Sequence, residues 1–131
     1  MTNINKEIIE KIINGDFEIL NKYAQEIGEK YAPQNPREKE EKLTTSQIRN
    51  ILDDVQRMKE EDIKSQKHQI LRPKLAYIAG RNNKSFALKE LKEIIDYALQ
   101  LVGDDYKKFE NFRYFFEAIV GYHRFYSKVK D

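Results

Sequence analysis

Lys64, Lys67, Arg72, Lys74, Arg81, Lys84 and Lys89 follow one another between Asp62 and Glu90 with no acid among them. Side chains of this kind neutralise anions. A solvated helix face usually mixes signs, because opposite charges four residues apart stabilise it by about 0.2–0.5 kcal/mol per pair. Seven like charges repel instead, so an external polyanion is the better reading of the stretch from Ile63 to Lys89. Lys67, Lys74 and Arg81 stand seven residues apart, which places them on one face of a helix with Tyr77 beside them. Seven residues of helix rise about 10 Å, roughly three nucleotides along a strand. Cations so spaced suit a phosphate backbone read without regard to sequence. Tyr77 suits either stacking on a base or the edge of the core. Arg49 is either a further phosphate contact or a plain exposed charge.

The elements that must carry these residues are helical. Ile4, Ile8, Ile9, Ile12 and Ile13 recur at helical spacing, and Asn14-Gly15-Asp16 ends that segment with Asp16 placed to cap the next. A second helix is predicted to about Tyr31, with Phe17, Leu20, Tyr23, Ala24 and Ile27 on one face. PQNPREKEEK, residues 33–42, combines two prolines with dense mixed charge and is expected to be a mobile linker. Thr44 and Gln47 form a capping-box pattern ahead of a helix of about 18 residues striped by Ile48, Ile51, Leu52, Val55 and Met58. In the basic stretch Leu71, Leu75 and Ile78 face inward, and Pro73 fits a first turn or a kink. Ser85 opens another helix, and a last one runs from about Tyr106 to Lys128. The expectation is an all-α protein, a compact bundle of five or six helices in a single domain spanning residues 1–131.

Nine of the 15 Phe and Tyr residues lie between Tyr106 and Tyr126. Phe109, Phe112, Phe116, Ile119 and Val120 form an inward stripe. Phe115, Tyr122, Phe125 and Tyr126 widen it and are candidates for a subunit contact.

Enzyme chemistry finds no footing. The two histidines, His68 and His123, lack HxxxH or HExxH spacing, and no cysteine is present, so no metal site is expected. Neither GxGxxG nor GxxxxGK[ST] occurs. Helical ribonucleases that pair Arg with His four to six residues apart have no counterpart, since Arg57 precedes His68 by eleven and Arg113 precedes His123 by ten. Asp53-Asp54 and Glu60-Glu61-Asp62 scatter around a polar helix side rather than converging on a metal pair. No cofactor is expected. The chain is 40% hydrophobic and 35% charged, too apolar for disorder and too charged for a membrane. MTNINKEIIEK places acids within its first apolar segment, unlike a secretory signal, so a cytoplasmic location is expected. The net charge of +2 conceals an asymmetry: residues 1–62 hold 10 Lys/Arg against 14 Asp/Glu, and residues 63–131 hold 14 against 8.

Three segments, LTTSQIRNIL at 43–52, LRPKLAYIAGR at 71–81 and FFEAIVGYHRFY at 115–126, together resemble the small subunit of the type III-A CRISPR effector, the Csm interference complex. The similarity spans about residues 43–126. It implies an all-helical, non-catalytic subunit present in more than one copy along the inner face of the complex. Its implied partners are guide RNA and target RNA, or single-stranded DNA; the backbone-forming and large subunits; and neighbouring copies of itself, with no membrane. Target cleavage would then belong to the backbone subunit, and DNA cleavage and cyclic oligoadenylate synthesis to the large one. The family's basic positions fall on Arg49, Arg72, Lys74 and Arg81. Lys67, Lys84 and Lys89 join them on charge alone. The expected mechanism is phosphate contact without base reading, since a guide-programmed complex leaves sequence to base pairing. The rivals are a purely structural helical spacer that bridges larger subunits, and a stand-alone helical enzyme.

Overall fold

The computed structural model describes residues 4–129. Among them are seven α-helices and no strand: α1 Lys6–Ile13, α2 Phe17–Tyr31, α3 Thr45–Arg57, α4 Glu60–Lys64, α5 Leu71–Arg81, α6 Phe86–Val102 and α7 Tyr106–Tyr126. Two 3₁₀ turns, Pro36–Lys39 and Lys67–Ile70, complete the path.

Most helices begin where a side chain can take over a backbone N–H that lacks an intrahelical partner. Asn5 accepts from Ile8 N at 3.1 Å, Asp16 from Ile19 N at 3.1 Å, Ser85 from Leu88 N at 3.2 Å and Asp105 from Lys108 N at 3.1 Å. At α3 the capping box closes in both directions: Thr44 Oγ1 accepts from Gln47 N at 3.2 Å, and Gln47 Oε1 accepts from Thr44 N at 3.0 Å. Gly15, with φ +100°, makes the turn between α1 and α2.

Seven helices stand where five or six were expected, because the predicted 18-residue helix breaks. α3 ends after 13 residues, at Arg57. Asp62 Oδ2 accepts from Lys59 N at 2.9 Å, and Glu60, Glu61 and Asp62 fill the first turn of α4, where carboxylates favour a helix start. Arg113 of α7 then donates to the freed carbonyl of Met58 at 2.6 Å. The break is thus held from both its own side chains and a distant one.

Helix α7 is the axis of the bundle. Phe109, Phe112, Phe115, Phe116 and Ile119 are all buried, with successive ring centroids 5.6 Å apart for Phe109–Phe112 and 6.2 Å for Phe112–Phe116. Each such side chain contributes about 1.5–3 kcal/mol of hydrophobic stabilisation. α2 lies along α7, and the two come closest at Gly28, where an added Cβ would stand 2.6 Å from Tyr122 Cβ. α6 turns Leu88, Leu91, Ile94, Ile95, Ala98, Leu99 and Val102 into the same core. α5 joins through Leu71, Leu75 and Ala79, packed mainly against α6.

Residues 33–42 carry structure of their own. Asn35 Oδ1 accepts from Arg37 N at 3.0 Å to start the 3₁₀ turn. Glu38 accepts from Gln34 N at 2.7 Å, and that bond holds its carboxyl below the usual range. Leu43 N donates to Tyr31 O at 3.1 Å, Ala87 N to Glu41 O at 3.3 Å and Lys128 N to Pro33 O at 3.0 Å. Backbone bonds to α2, α6 and the end of α7 therefore lay this segment against the bundle.

Candidate nucleic-acid interface

The outward face of α5 follows from its inward one. With Leu71, Leu75 and Ala79 buried and Ile78 partly so, Lys74, Tyr77 and Arg81 fall on the solvent edge, at positions i, i+3 and i+7. Pro73 lies in the first turn, where its missing N–H costs nothing. Tyr77 is 65% exposed, and the Arg81 guanidinium stands 5.8 Å from its ring centroid. That exposure removes the core-edge alternative for Tyr77; Ile78 takes that place. Ile70, 55% exposed, extends the edge one turn back.

Lys67 departs from the expected phase. It opens a 3₁₀ turn that begins after Gln66, a residue at φ 65°. Residues there turn by about 120° each rather than about 100°, and the step from Lys67 to Lys74 still brings the two within about 40–60° of each other around the axis.

The stretch contains no acid, yet several of its cations have acid partners from elsewhere in the chain. Arg72 Nε pairs with Asp96 at 3.3 Å, and Asp96 also holds Lys92 at 2.8 Å. The hydrogen bond that Lys92 donates to the Asp96 carboxylate raises its ammonium above its ordinary value. Lys74 pairs with Asp54, Lys84 with Glu40 at 3.5 Å and Lys64 with Glu60 at 3.3 Å. Lys89 donates to Asn83 O at 2.9 Å. Among the described residues Arg49, Lys67 and Arg81 have no ion pair. Counting charge along the chain therefore overstated the unneutralised charge. The cationic members of these pairs are partly or largely exposed, and such pairs are worth about 0–1 kcal/mol.

The predicted residues fall into separate places. Arg72 borders a shallow cavity of about 320 Å³ between α5 and α6, with Gln69, Lys92 and Asp96. Arg81 and Lys84 border a recess of about 290 Å³ against the first 3₁₀ turn, with Lys39, Glu40 and Asn83. Arg49 faces a third place, an open cleft of about 710 Å³ between the start of α3 and the end of α7. Arg49 and Asp54 are both on α3, but Asp54 reaches Lys74 of α5 and lies about 140° around the helix from Arg49. One continuous groove through Arg49, Lys67, Lys74 and Arg81 is therefore not formed; Lys74, Tyr77 and Arg81 are brought together, and Arg49 is not among them.

In the Arg49 cleft the structure supplies two residues that charge counting passed over, Arg124 and Lys128. They stood in the aromatic-rich C-terminal stretch and were eclipsed by it. Their signal was present: no acid lies between Glu117 and Lys128.

The aromatic surplus of α7 is mostly consumed inside the chain. Phe115 is buried and stacks on Tyr23 at 6.0 Å. Tyr122 donates to Asn21 Oδ1 at 2.6 Å, and Tyr126 Oη accepts from Gln25 Nε2 at 2.8 Å. Phe125, 79% exposed, remains outside. Both histidines are buried, His68 with its ring edge-on to Phe109 at 5.5 Å and His123 Nε2 2.7 Å from Leu43 O. Among the described residues no group of three or more His, Asp or Glu is placed to hold a metal ion, and no helix is long and apolar enough to cross a membrane.

Comparison with known proteins gives one family: the model described as Csm2 Type III-A matches residues 14–129. No curated protein and no solved structure matches the chain.

Proposed function

The chain belongs to the Csm2 type III-A family, and from that membership as a small subunit of the type III-A CRISPR effector we propose that it contacts nucleic-acid backbone without sequence preference and bridges larger subunits, performing no catalysis itself. The bound strands are guide RNA and target RNA, or single-stranded DNA, in the cytoplasm. The observation that supports this reading is the outer edge of α5, where Lys74, Tyr77 and Arg81 stand together with Tyr77 exposed and, among the described residues, no ion pair on Arg81. Arg and Lys supply phosphate contacts, and the Tyr77 ring offers a π-face any base can use. Arg72, Lys74 and Lys84 contribute by exchanging their acids for phosphates; Lys67 and Lys89 add to the local field at greater distance from the edge.

A salt titration of RNA binding tests it. Each phosphate contact to a single strand contributes about −0.7 to the slope of log affinity against log salt. The Lys74→Ala/Arg81→Ala variant is expected to flatten that slope by about 1.4 while leaving thermal unfolding unchanged. An unaltered slope and unaltered affinity of the assembled complex would sink the phosphate role.

The spacer reading has one observation of its own: Phe17 and Tyr114, both about half exposed, meet edge to face at 5.9 Å on the surface. An exposed aromatic pair suits a protein partner. Variants that bind RNA normally but fail to assemble would favour it.

A further inference from the structure

The outer edge of α5 carries apolar surface as well as charge. At about 100° per residue, Ile70 and Tyr77 stand within about 20° of one line along the helix. Lys74 and Arg81 lie just to one side of that line and Pro73 to the other. Leu71, Leu75 and Ala79 point the opposite way, into the core. From end to end the edge therefore alternates apolar and cationic side chains: Ile70, Lys74, Tyr77, Arg81. Ile70 is 55% and Tyr77 65% exposed, and Pro73 is exposed between them. A surface that meets only phosphates needs cations, and gains nothing from two large apolar side chains held in water. A duplex shows a protein its phosphates, its sugars and the edges of its bases, while stacking hides the base faces. In RNA, base faces become available where the strand is unpaired.

We infer that the α5 edge is a seat for unpaired nucleotides, with bases laid against Ile70 and Tyr77 and phosphates taken by Lys74 and Arg81. This rests on the nucleic-acid function proposed above and adds the state of the strand. Ile70 and Tyr77 are seven residues apart, a rise of about 10 Å, or roughly three nucleotides along a strand. Lys74 lies between them, where the backbone joining two such bases would pass. The Arg81 guanidinium stands 5.8 Å from the Tyr77 ring centroid, so ring and cation can hold the base and the phosphate of one nucleotide. The cations call for a polyanion, and the exposed ring calls for flat apolar faces; an unpaired strand presents both along one chain. Stacking beside charge is also indifferent to sequence, because every base has a π-face. A fully paired duplex would engage Lys74 and Arg81 and leave the apolar half of the edge in water.

Fluorescence anisotropy of the full-length protein across a salt series tests this with three labelled probes of equal length. They are a single-stranded RNA, the same RNA hybridised to its complement, and a strand with abasic spacers in place of bases. Tyr77→Ala should weaken binding to the single strand by about 5- to 140-fold. It should leave the salt slope unchanged, because a stacking contact releases no counterions. On the duplex and the abasic strand it should match wild type. Tyr77→Phe, which keeps the ring, should bind the single strand as wild type does, and Ile70→Ala should act as a weaker Tyr77→Ala. If Tyr77→Ala and Ile70→Ala leave the single strand unaffected while Lys74→Ala/Arg81→Ala weakens it, the edge touches backbone alone. That result overturns the inference and leaves the nucleic-acid function standing. Equal losses on single strand and duplex overturn it too, since they put the ring against sugar rather than base. A loss in Tyr77→Phe as large as in Tyr77→Ala assigns the contact to the hydroxyl and has the same consequence. If Tyr77→Ala binds RNA normally but fails to join the assembled complex, the ring is a protein contact and the inference is overturned. If wild type binds none of the three probes at low salt, both the inference and the function it rests on fall.

Discussion

Helix α7 is surrounded by α1, α2, α3, α4 and α6, and its Phe109, Phe112, Phe115 and Phe116 rings are sealed from solvent. Helix α5 leans on α6 along one edge, touches α3 lightly and leaves Pro73, Lys74, Ala76, Tyr77, Gly80 and Arg81 in water. The sequence marks both helices as unusual, one by aromatics and one by charge. Their fates differ because apolar area is stabilised by burial wherever a core can accept it, while charge stays outside unless it is paired. Aromatic crowding is therefore a poor pointer to an interface when a bundle needs an axis, and of the α7 rings Phe125 and Tyr114 are the ones left exposed. Charge crowding marks a surface reliably, but not an unneutralised one.

Truncation separates the two helices most sharply. Phe112→Ala should destabilise the protein by about 3–5 kcal/mol, from lost transfer energy and the cavity left behind. Tyr77→Ala, changing an exposed ring, should stay within about 0.5 kcal/mol. Urea denaturation of the two variants measures both. A cost for Tyr77→Ala approaching that of Phe112→Ala would mean that α5 is packed more deeply than its exposure indicates.

Glycine sharpens the contrast further. At Gly28 an added methyl would meet Tyr122 Cβ at 2.6 Å and the His123 backbone N at 2.7 Å. Neither atom is the far end of a flexible chain, so α2 and α7 must separate, and Gly28→Ala should cost about 1–3 kcal/mol. Gly80 sits near the end of α5 with nothing within 4 Å of an added Cβ. There Gly80→Ala should stabilise by up to about 1 kcal/mol through helix propensity alone. Thermal unfolding midpoints moving in opposite directions are the expected result; a drop for Gly80→Ala would show that the outer face of α5 is covered in solution.

Much of this was legible in the sequence, and the parts that were not share a cause. The caps at Asp16, Thr44 and Ser85 and the stripes of α2 and α7 are local patterns, and they reappear at the expected positions. The break after Arg57 was missed because the apolar stripe continues through Met58 to Ile63, while the decisive contacts are the Asp62 cap and Arg113, 55 residues away. The pairings of Lys74 with Asp54 and Arg72 with Asp96 span 20 and 24 residues, so no reading of neighbours could reveal them. The candidate site was legible at Lys74, Tyr77 and Arg81, which share one helix. The cleft that brings Arg124 and Lys128 near Arg49 joins two helices far apart in the chain, and no local pattern announces it.

The Lys74–Asp54 pair leaves the smallest effect on stability and the most informative one on binding. Asp54 is largely covered and Lys74 is more than half exposed, so the pair belongs to the class worth about 0–1 kcal/mol. Asp54→Asn should therefore hardly move the unfolding midpoint. Its effect on RNA should have the opposite sign to that of removing a cation. With the carboxylate present, a phosphate approaching Lys74 must compete with Asp54 and is repelled by it. With the amide, Lys74 is free, so affinity should rise and the salt slope should steepen by up to about 0.7, one contact. The α5 edge would then resemble the Arg49 cleft, where no acid is among the described lining residues. If Asp54→Asn and Lys74→Ala both leave RNA binding untouched, Lys74 is a strut between α3 and α5, and the interface on that helix contracts to Tyr77 and Arg81.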